Sequence, residues 1–195
     1  MNTLKAEKRD MAIKAKKLRR EGYVTGNVFG KEIEGSIPVK MNKQEVEAVL
    51  RTTGKGGQLT LEVDGQPMNV LVKEIAYNSM KRLVEEIDFQ ALVSGEKVNS
   101  VAEIVIQNHE MLQGGVLEQQ LEEVHYRALP SALVEKVVID AAKLRVGDTL
   151  HVRDLAIAQD PDVEVLTDLD AIVVTVGEEY AKAEDTDGEG SSEEA

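Results

Sequence analysis

Apolar side chains alternate on both sides of Asp64-Gly65, with Leu59, Leu61 and Val63 before it and Met68, Val70 and Val72 after it. A period of two sends successive side chains to opposite faces of a strand, and Asp-Gly supplies the left-handed residues that a tight hairpin turn needs. This stretch commits the first half of the chain to sheet. Similar short runs surround it: Tyr23 to Phe29, Ile33 to Val39, Val70 to Ile75 and Leu83 to Phe89. Between them Asn42 opens a helical pattern of Val46, Val49 and Leu50, with Glu45 three residues on as a capping-box partner and an end expected near Thr52. The first half therefore reads as a small antiparallel barrel or curled sheet with a helix packed on it.

The second half is punctuated in the same way. Val101 to Ile106, Lys136 to Ile139, Thr149 to Val152, Val163 to Leu166 and Ala171 to Val176 are short β-prone runs, split by turns at Gly147-Asp148, Asp160-Pro161 and Asp168. Gly114-Gly115 opens a segment whose residues 117, 121 and 124 fit a helix, whereas His125 to Leu129 continues it as strand. Periodicity leaves that choice open. The fold class expected is mainly β: an N-terminal small β-barrel with one or two short helices over residues 1–93, then a separate β-rich C-terminal domain over 97–176. Residues 177–195 are rich in Glu, Asp, Gly, Ser and Ala, and read as a disordered acidic tail.

Charge divides along the same line. Residues 1–93 carry sixteen basic and thirteen acidic side chains, net +3, and the remainder carries seven and twenty-three, net -16. Within the first twenty residues there are eight Lys or Arg against two acidic residues. The densest part is Ile13-Lys-Ala-Lys-Lys-Leu-Arg-Arg-Glu-Gly22, a cationic run in a chain of net charge -13. Such a run suits a polyanion, and a solvated helix face is the plain alternative. Leu4, Met11, Ala15 and Leu18 fall at helical steps, so an amphipathic helix is expected in this region, stopped by Gly22.

Several chemistries find no support. No cysteine occurs, which removes thiolate metal sites, disulfides and thiol nucleophiles and suits a reducing cytosol. His109, His125 and His151 are scattered without metal-ligand spacing, and no Gly-x-Ser-x-Gly is present. Gly54-Lys55-Gly56-Gly57 lacks the Gly-Lys-Ser/Thr ending of a phosphate loop and reads as a flexible connection. No apolar run approaches the roughly 20 residues of a membrane span, and no signal-peptide core is visible at the N-terminus. The expectation is a cytoplasmic, noncatalytic protein with no cofactor and no metal.

The segment Lys17-Leu18-Arg19-Arg20-Glu21-Gly22-Tyr23-Val24, closing on Val28-Phe29-Gly30, resembles the opening of the bacterial large-subunit ribosomal protein twenty-five family, in its longer two-domain form, the general stress protein CTC. Val72-Lys73-Glu74-Ile75, Ile87-Asp88-Phe89, Gly114-Gly115-Val116-Leu117-Glu118, Ala128-Leu129-Pro130 and Leu144 to Leu155 follow in that family's order and spacing. The resemblance spans nearly everything from Leu4 to Val176. It implies a barrel that binds 5S ribosomal RNA in the central protuberance, beside neighbouring large-subunit proteins, with the C-terminal domain lying outward. It also implies strand for Val116 to Val124, and a protein monomeric off the ribosome.

On that basis Lys14, Lys16, Lys17, Arg19 and Arg20 are the expected phosphate ligands, with Tyr23, Phe29, Lys73 and Asp88 on the RNA-facing barrel. Helical RNA is read largely by shape and phosphate contacts, so cations give salt-dependent affinity. This chain departs from the family at Thr25 for a Pro, Ala76 for a Gln, Asn78-Ser79 for His-Pro and Glu86 for a His. Those changes motivate an alternative reading, a ribosome-associated or stress-related protein-binding module with a weakened RNA site.

Overall fold

The structure is a computed structural model that describes residues 2–112 and 115–178. Its first half is a closed barrel. The strands are β1 (Thr3–Lys8), β2 (Tyr23–Phe29), β3 (Ser36–Asn42), β4 (Gln58–Val63), β5 (Gln66–Asn78) and β6 (Leu83–Ala91), in the order β1-β3-β2-β6-β5-β4. Two joints are parallel, β2 with β6 and β1 with β4, so the barrel is mixed rather than antiparallel as the alternation suggested. The β1–β4 pairing, Thr3 opposite Thr60 through Ala6 opposite Val63, closes it. Inward-facing Leu4, Val24, Val28, Val39, Met41, Leu59, Leu61, Val70, Ile87 and Phe89 form its core. Burying such a side chain contributes about 1.5–3 kcal/mol.

Leu4 corrects the helical spacing assigned to the N-terminus. It is a core residue of β1, while Met11, counted on the same helical stripe, is 68% exposed. Only α1 (Ala15–Arg20) is helical there, anchored by buried Leu18 and ended at Gly22, whose φ is 89°. Helix α2 (Lys43–Leu50) begins as expected, although the Asn42 side chain accepts from the Gln44 N–H at 2.9 Å rather than completing a box with Glu45. Its Val46 is fully buried in the barrel core. At the β4–β5 hairpin, Asp64 and Gly65 have φ of 48° and 85°, the left-handed pair that this tight turn requires.

The second half is a separate β-rich domain of two sheets. β7 (Val98–Gln107), β8 (Gly115–Gln119), β9 (Glu123–Ala128), β10 (Lys136–Asp140), β11 (Thr149–His151), β12 (Val163–Val165) and β13 (Ile172–Glu178) divide into β10-β7-β9-β12 and β11-β13-β8. The segment left open by periodicity is strand, as the resemblance implied, broken between Gln119 and Glu123. Tyr126 is fully buried, and its hydroxyl both donates to Val134 O and accepts from Val134 N at 2.8 Å. That pair fixes the loop between β9 and β10. Gly177 and Glu178, expected to open the tail, belong to β13; the rest of the expected tail, with Gln113 and Gly114, lies outside the described residues.

The Gly54–Gly57 loop is not a free connection. Gly56 N donates to Val72 O and Val72 N donates to Gly57 O, both at 2.9 Å, which lays the loop along β5. Gly56 has φ 81°, and a Cβ there would collide with the carbonyl oxygen of Val101 on β7. Around this approach Lys55 Nζ meets Glu123 at 2.9 Å, Gln58 Nε2 donates to Pro130 O at 2.7 Å and Lys73 Nζ donates to Asn99 O at 2.8 Å. The glycine run is the seat on which the second half rests.

Candidate nucleic-acid interface

Helix α1 projects the cationic run from the barrel. Leu18 holds the helix against β2, which leaves Lys16, Lys17 and Arg20 exposed on it and Lys14 exposed at its N-cap. Among the described residues only Lys17 of these four has a carboxylate partner, Glu21 at 3.9 Å on the open surface. Such an exposed pair contributes little. Three cations without a carboxylate partner among the described residues, and a fourth held only by that surface pair, can therefore engage an anion.

Arg19 is different. It turns back onto β6, where Nε donates to Glu85 O at 3.1 Å, Nη1 lies 3.5 Å from Glu85 Oε2 and Nη2 lies 3.7 Å from Glu86 Oε2. The fifth expected phosphate ligand is already engaged by two carboxylates. Thr25, which the sequence resemblance sets against a proline, is 1% exposed beneath this contact and donates its hydroxyl to Glu85 O at 3.3 Å. The Asn78 side chain donates to Glu85 Oε1 at 2.8 Å, and Lys81 approaches the same oxygen at 3.6 Å. The Asn78 hydrogen bond, then the charges of Arg19 and Lys81, hold the Glu85 carboxyl below the usual glutamate range.

The outer face of β2, β6 and β5 lies beside this cluster. Asp88 sits opposite Asn27, whose backbone N–H and side-chain amide both donate to Asp88 Oδ1 at 3.2 Å. Glu74 is paired with Asp88 across the β5–β6 register and Ala76 with Glu86. Residues at alternate positions share a face, so Glu86, Asp88 and Glu74 present three carboxylates together. Tyr23 and Phe29 mark the two ends of β2, about 20 Å apart at strand rise, and both are half-buried. Tyr23 carries the Lys40 ammonium 5.0 Å from its ring centroid. Lys40 is itself paired with Glu7 at 2.8 Å, and that hydrogen bond raises its pKa above the ordinary lysine value.

Lys73 does not join this face. It occupies a bulge in β5 and gives its ammonium to Asn99 O on β7. Burial, then the nearby Lys55 charge, lowers its pKa. The β5–β6 hairpin tip supplies what the sequence reading passed over. Tyr77 is 56% exposed and Met80 97% exposed, with Lys81 and Arg82 beside them. An aromatic followed closely by Lys-Arg in a turn was the signal. Among the described residues no cluster of His, Asp or Glu could hold a metal ion, and no helix is long and apolar enough to cross a membrane.

Comparison with known proteins separates the chain at the same place. Residues 4–89 match the model of the Ribosomal L25p family and residues 97–179 match that of the ribosomal protein TL5 C-terminal domain. The large ribosomal subunit protein bL25 of Caldanaerobacter subterraneus subsp. tengcongensis is 30% identical over 98% of each chain. The protein of the same description from Carboxydothermus hydrogenoformans is 34% identical over 82% of this chain and 80% of its own. That of Listeria monocytogenes serotype 4b is 30% identical over 99% and 94%. With the barrel, the β-rich second half and near full-length relatives in agreement, the chain belongs to the bL25 family of large-ribosomal-subunit proteins, in its long form with a TL5-type C-terminal domain.

Proposed function

We propose that this protein is a noncatalytic component of the large ribosomal subunit that docks on 5S ribosomal RNA in the central protuberance, in the cytoplasm, beside neighbouring subunit proteins. Residues 1–93 form the RNA-binding unit, and the acidic second domain, 97–176, points away from the RNA. Off the ribosome the protein is a monomer. The observation that carries this reading is the exposed cationic set Lys14, Lys16, Lys17 and Arg20 on a short helix anchored against the barrel. These cations engage phosphates, and Tyr23, Phe29 and the pinned Asp88 supply the adjoining barrel face. Arg19 contributes once it exchanges its carboxylate partners for phosphate, and Lys73 acts at the rim through the junction it braces.

The test is a titration of 5S RNA with the full chain across a salt series with magnesium present. Log affinity should fall by about 0.7 to 0.9 per decade of salt for each phosphate neutralised. No complex at low salt would overturn the reading. The face formed by Glu74, Glu86 and Asp88 favours one alternative, a ribosome-associated protein-binding module with a weakened RNA site. Under that alternative, changing Lys17, Arg19 and Arg20 to Ala leaves co-sedimentation with ribosomes intact; under the RNA reading it is lost.

A further inference from the structure

The end of the barrel that carries α1 also carries a groove that the cationic helix does not use. It runs between the C-terminus of α2 and the β5–β6 hairpin, has a volume near 390 Å³, and is lined by Glu47, Leu50, Arg51, Tyr77, Arg82 and Leu83 among others. Leu50 and Leu83 are half-buried, and Tyr77 is more than half exposed. Arg51 and Arg82 are exposed, and neither lies within ion-pair distance of a carboxylate among the described residues. Glu47, the acidic member, pairs with Lys43 at 3.6 Å on the open surface, so the groove carries two cations against one carboxylate. The groove thus combines one open aromatic ring, an apolar wall and two guanidinium groups with no carboxylate within ion-pair distance among the described residues.

We propose that this groove receives a single unpaired nucleotide of an RNA, its base against Tyr77 and its flanking phosphates on Arg51 and Arg82. The proposal rests on the RNA-binding reading above and adds to it a second point of contact. A base has a flat apolar face and a charged backbone a few ångströms away, the same pairing that the ring and the two cations present. Continuity supports it as well. Glu85 ties the hairpin tip, through Asn78 and Lys81, to Arg19 on α1, so cations follow one another around a single end of the barrel. A folded protein partner fits less well, because Tyr77 and Met80 are the large exposed apolar side chains at this tip. Two side chains make a small apolar anchor beside the roughly 20–30 residues that each partner contributes to a stable protein interface.

The test uses the full chain and two probes, 5S ribosomal RNA and a mixed-sequence single-stranded RNA decamer. Tyr77→Ala should weaken 5S binding about tenfold, as loss of a stacked base does, and should leave the salt slope unchanged. Arg82→Gln should reduce that slope by about 0.7 to 0.9. Chemical probing should find one unpaired base protected by the wild type and exposed with Tyr77→Ala. Thermal melting of both variants checks that the barrel is intact. Wild-type affinity, slope and base protection in both variants would overturn the groove while leaving 5S binding in place. If 5S RNA is not bound but the decamer perturbs Tyr77 and Arg82 resonances, the ribosomal reading fails and the groove stands. Binding of neither probe overturns both. A crosslinker carried at Met80 that reaches protein rather than RNA in assembled subunits also overturns it.

Discussion

Arg19 Nη2 lies 3.7 Å from Glu86 Oε2, so the residue that the sequence resemblance sets against a histidine faces one of the cations expected to meet phosphate. A carboxylate at that place competes with the polyanion for the same guanidinium. It also adds a like charge next to Asp88 on the outward face of β6. Glu86→Gln should therefore tighten the proposed 5S complex. The expected gain is up to about fivefold at low salt, the scale of a partly exposed ion pair, and it should shrink as salt rises. Filter binding at two ionic strengths measures it, and equal or weaker binding would show that Arg19 and Glu86 do not compete with the RNA.

Asn78 controls the second carboxylate of that cluster. Its hydrogen bond is the largest cause of the lowered Glu85 pKa, ahead of Arg19 and Lys81. A carboxyl with a depressed folded-state pKa contributes stability that is present above its unfolded value and lost as pH falls through the folded one. Asn78→Ala should move the Glu85 titration upward toward the ordinary glutamate range and narrow that acid window. Carbon-detected NMR titration of the glutamate carboxyls reads the shift directly.

Gly56 and Gly54 make a matched pair of substitutions. Alanine at 56 meets both a φ of 81° and the Val101 carbonyl, whereas alanine at 54 meets nothing within 4 Å. Forcing a Cβ into a left-handed position costs of order 1–3 kcal/mol before any collision is counted. Gly56→Ala should lower the melting temperature and enlarge the radius of gyration in small-angle scattering as the second domain lifts from its seat. Gly54→Ala should change neither.

Tyr126→Phe removes one oxygen and strands two backbone groups. Val134 N and Val134 O both bond to that hydroxyl at 2.8 Å. Leaving a buried donor or acceptor without a partner costs about 1–3 kcal/mol. Urea unfolding should show a loss of that size with an unchanged m-value.

What was legible in the sequence was local. Asp64-Gly65 announced its hairpin because a turn with two left-handed residues has to be encoded by the residues in it, and Asn42 announced α2 because a cap sits beside what it caps. Leu4 misled because a lone apolar residue fits helix spacing as well as strand. What makes it strand is β4, more than fifty residues away. The Gly54–Gly57 loop looked free because nothing near it reveals Val101. The same distance hid the state of Arg19, whose partners lie 66 residues on at Glu85 and next to it at Glu86. Composition located the cations; only the fold could say which of them is spoken for.

The closure of the barrel sets an order on its making. β1 is synthesised before the other described strands, yet its two neighbours are β3 and β4, and the last of these ends at Val63. Until that residue has left the exit tunnel, β1 keeps a row of unpaired backbone donors and acceptors open to other chains. A nascent chain arrested before Gln58 should therefore be captured by chaperones or aggregate, and one arrested well beyond Ala91 should not.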